Sequence, residues 1–256
     1  MSVFIEDTAR NNLASWTIEA AGTGAVQGAV LSPFSTPRHR TSYKQSARET
    51  VNRIQEAGRE AWFDAETHAL QMPAVGDYRY YDDWPLWASG RGQLASPGDI
   101  RSHVELVFAT QDDLGVPHLA PTVLLHSPQS ATSRLALQMA EAAVELNPSC
   151  ALTIAGDASF WAGGSLLDAH IGAMAQLEPG AWRLTVVRAL TVLPAPAMPE
   201  EIHGLARTAR ALSENAVVQL SHGDLAALPA VAAGATVIGV KDRRSSLDVI
   251  ARIPHL

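Results

Sequence analysis

Short apolar runs rich in β-branched residues alternate along the chain with longer stretches of helical periodicity. Seven such runs are placed at 25–32, 61–66, 122–126, 151–155, 182–188, 217–220 and 236–240. Between them the pattern predicts helices over 46–57, ending at Gly58, and over 131–146, stopping before Pro148. Further helices are expected after Gly163-Gly164 as far as Glu178-Pro179-Gly180, over 199–212, and at the end over 245–252. Strands alternating with helices are the signature of βαβ units and a parallel sheet. No eighth strand stands out, and 11–20 reads as an amphipathic helix as readily as a strand. Three architectures stay open: a full barrel with one disguised strand, a partial barrel, and an open doubly wound sheet. The expectation is α/β, a (β/α)8 TIM barrel or partial barrel of parallel strands, with residues 1–256 as one domain.

End signals agree with the periodicity. Pro199 suits a first helical position, and Glu200 and Glu201 suit the positive end of the helix dipole. Pro179-Gly180 and Asn147-Pro148 are natural stops. The segment 67–97 breaks the rhythm and carries Asp77-Tyr78-Arg79-Tyr80-Tyr81-Asp82-Asp83-Trp84-Pro85-Leu86-Trp87. A long irregular loop in a compact domain tends to be a lid or a binding loop. It is expected as an aromatic-rich insertion after the second strand, acting as a lid over the strand ends; its rings could equally serve as a satellite core or a subunit contact.

Composition narrows the partners. The chain has 256 residues, 47% hydrophobic and 18% charged, enough to bury a core without disulfides or metal. A net charge of −7 disfavours nucleic acid and anionic membrane, which need clustered Lys and Arg. The single cysteine, Cys150, excludes an internal disulfide and a multi-cysteine metal site, and reads as a small buried residue at the start of a strand. The first residues have no apolar h-region, and no apolar run approaches the roughly 18 residues of a membrane span. The expected location is cytoplasmic and the expected partner a small-molecule ligand; the sequence names no cofactor.

In a parallel barrel the C-terminal strand ends meet on one rim, so polar residues distant in sequence can converge there. Reading each run to its end nominates Asp64, Glu66, His126, Asp157, His222 and Asp224 as acid–base candidates, and Ser32, Arg188, Lys241, Arg243, Tyr81 and Trp84 as substrate-binding candidates. Alternation sharpens the choice. Ala151, Thr153, Ala155 and Asp157 share one strand face while the bulkier Leu152 and Ile154 share the other, which directs Asp157 toward the lumen or rim. Trp62, Asp64 and Glu66 share a face, as do Val237, Gly239 and Lys241, so that Lys241 lies above a glycine. Carboxylates with histidines and cations on one rim suit shifted pKa values and acid–base work. No HxH or HExxH spacing is present, and no metal ligand is assigned. A carboxylate pair for glycosidic cleavage and a Schiff-base role for Lys241 stay open beside proton transfer.

The segment 217–240, VVQLSHGDLAALPAVAAGATVIGV, resembles the penultimate βαβ unit of phosphate- and flavin-binding (β/α)8 barrels. Gly223-Asp224, the alanine-rich stretch 226–233, Gly234-Ala235 and Gly239 occupy comparable places. The resemblance implies a strand-to-helix turn whose N–H groups could cradle phosphate. It departs from the pattern at Ser221-His222-Gly223, where those families carry paired glycines, and at Asp224, a negative charge beside the implied anion that Lys241 and Arg243 could offset.

These observations lead to three functional expectations. The first is an enzyme acting on a small polar or anionic metabolite through rim carboxylates and histidines. The second is a non-catalytic, barrel-derived binding or oligomerisation protein, a homo-oligomer joined through Trp84 and Trp87. The third is a metal-dependent hydrolase.

Overall fold

A computed structural model describes residues 2–6, 14–24, 26–42, 44–72, 80–187, 197–221 and 228–241. Among them eight parallel strands form one sheet: β1 (Ser2–Glu6), β2 (Gly28–Leu31), β3 (Glu60–Phe63), β4 (Leu124–Leu125), β5 (Ala151–Gly156), β6 (Ala181–Val186), β7 (Val217–Ser221) and β8 (Val237–Lys241). Their order is β3-β2-β1-β8-β7-β6-β5-β4, the ring order of a barrel cut between β3 and β4, and all seven neighbouring pairs are parallel. The sheet curls into a half-barrel with helices between its strands. The seven expected strands are present, and the disguised eighth is Ser2–Glu6 rather than part of 11–20, which holds the helix α1 (Ala14–Gly22). With β1 in place, the strand expected to be second is the third.

The remaining helices are α2 (Ala47–Glu56), α3 (Pro97–Leu114), α4 (Ala131–Leu146), α5 (Ala158–Trp161), α6 (Gly164–Ala175), α7 (Pro199–Ser213) and α8 (Leu228–Ala232). Local chemistry sets their starts. Ser46 and Glu49 cap each other's backbone N–H at α2, Ser96 and Asp99 do the same at α3, and Pro97 and Pro199 occupy first-turn positions. The closing helix expected over 245–252 lies outside the described residues.

Alternation sorts each strand into two faces. Ile5, Leu31, Phe63, Leu152, Ile154, Trp182, Leu184 and Leu220 join the main core beneath the helices. Phe4, Val30, Trp62, Leu119 and Ala151 form a separate inner cluster that fills the base of the lumen. A one-residue slip would exchange these faces, so burial fixes the register.

Between β3 and β4 a side chain does the work of a ladder. The buried Gln111 of α3 donates through Nε2 to Phe63 O and to Leu119 O, both at 2.9 Å, and its Oε1 accepts from Leu119 N at 3.1 Å. Nearer the strand ends, Leu124 N donates to Gln71 Oε1 at 2.6 Å. Two glutamine amides thus satisfy buried backbone groups that no neighbouring strand reaches.

Candidate functional site

The lumen above the inner apolar cluster is charged. Arg183, mid-strand on β6 and 3% exposed, places Nη2 at 2.8 Å from both oxygens of Glu6 at the end of β1, and Nε at 3.3 Å from Asp64 Oδ2 just past β3. The same Nη2 donates to Ser221 Oγ at 2.8 Å, and that hydroxyl donates to Glu6 Oε1 at 3.0 Å. Strands far apart in the sheet are thereby tied across the lumen. Burial works against the guanidinium charge, but Glu6 and Asp64 outweigh it and the net shift of its pKa is upward, with Glu66 adding to the same field. Gly239 on β8 makes room for this network: a Cβ there would stand 2.1 Å from Glu6 Oε1.

Glu66 closes the β3 side of the mouth. Its backbone is left-handed at φ 46°, uncommon for a side-chain-bearing residue, and its N–H donates to Asp64 Oδ1 at 2.8 Å. Ser32, buried one residue past β2, donates its hydroxyl to Glu66 Oε2 at 2.8 Å. Directly beyond, a 3-10 turn over Thr67–Gln71 carries the chain to the seam. This turn is anchored from behind by His103 of α3: Nδ1 donates to Leu86 O at 2.7 Å, so Nε2 accepts the Thr67 hydroxyl at 2.9 Å. Burial lowers the His103 pKa to about 4, which keeps the ring neutral.

Across the seam the strand ends carry a second pair. His126 Nδ1 lies 2.5 Å from Asp157 Oδ2 at the ends of β4 and β5, with side-chain exposures of 60% and 28%. Asp157 also caps α5, its Oδ1 accepting from Phe160 N at 3.0 Å. An ionised carboxylate only accepts, so Nδ1 carries the proton and Nε2 is left as the acceptor of the neutral ring.

The strand-end residues expected from sequence therefore divide. Asp64, Glu66 and Ser32 come together on one side of the mouth, and His126 and Asp157 pair on the other. Tyr81 and Trp84 require a correction: they are 1% and 5% exposed and belong to the core, where Tyr81 packs on Phe34, and Trp84 packs on Phe63 while donating Nε1 to Thr36 O at 3.2 Å. Rings so placed pack in the manner of the core alternative expected for this segment, of which residues 73–79 lie outside the described residues. His222, Asp224, Arg188 and Arg243, with Tyr78 and Arg79 of the aromatic segment, lie outside the described residues. Lys241 ends β8, its backbone in register with Glu6 of β1.

Two members of the site went unread in the sequence. Alternation along 181–186 would have found Arg183, since Ala181, Arg183 and Thr185 share a face against Trp182, Leu184 and Val186. Glu6 ends an apolar run too short to stand out.

No protein-family model and no curated protein matches the chain in sequence. Among solved structures, a candidate lyase/mutase from Burkholderia cenocepacia superposes with a TM-score of 0.50 at 12% identity, over 98% of this chain and 78% of that one. A D-allulose 3-epimerase from Methylomonas sp. gives a TM-score of 0.45 at 10% identity, over 100% and 91%. The chain has a TIM-barrel-like fold. With that topology, the Glu66 and His126 ends occupy the face where barrels of this kind place their chemistry. Among the described residues no helix is long and apolar enough to cross a membrane, and no group of three or more His, Cys, Asp or Glu could hold a metal ion. Cys150 is buried and its thiol is pushed up to about 11 by burial, so it offers no ready thiolate.

Proposed function

We propose that the protein is an enzyme that moves protons on a small polar or anionic metabolite held at the C-terminal mouth of the barrel. The observation that supports this is the His126–Asp157 contact at 2.5 Å across the ends of β4 and β5. Asp157 fixes the imidazole tautomer and would stabilise the imidazolium formed when Nε2 takes a substrate proton. Glu66, held by Ser32 and by a strained backbone on the opposite side of the seam, supplies the second acid–base group. The Arg183–Glu6–Asp64 network is the floor that keeps the β3 end in place. Isomerases and lyases use this pairing of a base with an acid. The likeness to the Burkholderia protein is one of fold, and the proposal rests on the residues instead.

The test is solvent exchange. The protein is incubated in deuterium oxide with small 2-oxo acids, hydroxy acids, aldoses, ketoses and their phosphates, and loss of substrate C–H signals is followed by proton NMR. Exchange by the wild type that falls by about a hundredfold or more in His126→Gln and in Glu66→Gln, with circular dichroism unchanged, is the expected result. Exchange that persists in His126→Gln, or its absence over the whole panel, overturns the reading.

A further inference from the structure

The wall formed by β5 and β6 holds two groups that neither packing nor the ion pairs explain. Thr153 and Thr185 are 5% and 1% exposed, and their hydroxyl oxygens meet no hydrogen-bond partner among the described residues. Alternation puts Thr153 on the lumen face with Ala151 and Ala155, and Thr185 on the same face of β6 as Arg183. The register sets Thr153 beside Arg183 and Thr185 beside Ser221, so the two hydroxyls are diagonal neighbours on one wall. Nothing on the inner face of β5 is larger than threonine, whereas its outer face carries Leu152 and Ile154. A buried hydroxyl without a partner costs stability that a valine of the same shape would not, so it is completed by an ordered water or by a ligand, and two such hydroxyls side by side on one wall suit a ligand.

Charge narrows the class of that ligand. The described network holds two carboxylates, Glu6 and Asp64, around one guanidinium whose Nε and Nη2 are already engaged. Among the described side chains an anion entering here would meet net negative charge. A neutral polyhydroxylated molecule would not, and its hydroxyls both donate and accept, as threonine hydroxyls require. Asp157 follows Ala155 by two residues, so such a molecule would extend from this wall toward the His126–Asp157 pair. We propose that Thr153 and Thr185 form a subsite for the hydroxyl groups of an uncharged sugar or polyol. This inference rests on the proton-transfer reading of the mouth and names the substrate class it serves.

The experiment compares wild type, Thr153→Val/Thr185→Val and Glu66→Gln by calorimetry and saturation-transfer NMR. Ribitol and D-ribose serve as uncharged probes, and ribose 5-phosphate and inorganic phosphate as anionic ones. Thermal unfolding is measured without ligand. The expected result is binding of ribitol or D-ribose, weakened tenfold or more in the double valine variant, with an unliganded Tm that is unchanged or raised. Wild-type affinity in the double variant, binding of the phosphates alone, binding of none of the probes, or a lowered Tm overturns the subsite. The two proposals fail separately. Threonine-dependent ribitol binding without proton exchange on any compound leaves the subsite and removes the catalytic reading. Glu66-dependent exchange that is indifferent to the valines does the reverse.

Discussion

Among the described residues two ionic constellations lie at the same end of the sheet, and they differ in almost every physical respect. Arg183 with Glu6 and Asp64 lies at 3–6% side-chain exposure, ties strands from opposite parts of the sheet and has its partners fixed by several hydrogen bonds. His126 with Asp157 sits at 60% and 28% exposure at the ends of two adjacent strands, with one contact between them. Charges taken out of water are kept only where each partner compensates the other, so the buried group is bound to its geometry. A solvent-facing imidazole whose Nε2 has no partner among the described residues can exchange protons and meet a ligand. On the proposed function the first constellation positions and the second reacts.

The largest effect that would test this contrast is Arg183→Met, which strands Glu6 and Asp64 as buried charges. Urea unfolding should show a loss of about 3–5 kcal/mol; a loss below about 1 kcal/mol would mean that the network is not a structural tie.

The next effect comes from His103, behind the Glu66 turn. Its folded pKa of about 4 lies below the unfolded value of 6.5, so the unfolded chain binds more protons between those limits and stability falls as pH drops through that window. The loss should approach roughly 3 kcal/mol at the acid end, and denaturation of His103→Asn across the same pH range should lack most of that slope. His170, also lowered by burial, adds a residual slope of the same sign in both proteins.

Gly239→Ala should cost about 1–3 kcal/mol, because its Cβ falls on Glu6 Oε1. Glu6→Ala in the same chain should remove that clash, and a double-mutant cycle that comes out additive would show that the glycine has some other reason. The smallest effect on stability is expected at the rim. Asn caps a helix as well as Asp, so Asp157→Asn should shift stability by less than about 0.5 kcal/mol while any proton exchange found in the wild type falls about a hundredfold or more. A large stability loss there would recast Asp157 as a cap and nothing else.

Element types are legible in the sequence wherever the signal is local. Apolar alternation within a strand, reciprocal caps at Ser46 and Glu49, and a proline at 199 each act within a few residues, which is why seven strands and the helices α2, α4, α6 and α7 could be read without the fold, whereas the long α3 was not. The sequence also set which face of β5 turns inward, because bulk on the other face had to meet helices. Tertiary structure alone decided the rest. Ser2–Glu6 is a strand because β2 and β8 pair with it on either side. Tyr81 and Trp84 are core because the surface behind β3 is filled by the segment that follows it rather than by a helix. Arg183 meets a carboxylate 177 positions away, and Gln111 bridges a seam that exists only once the sheet has curled. No local pattern encodes such contacts, since they arise from the distance between strands in space, and that distance is set by the curl of the whole sheet.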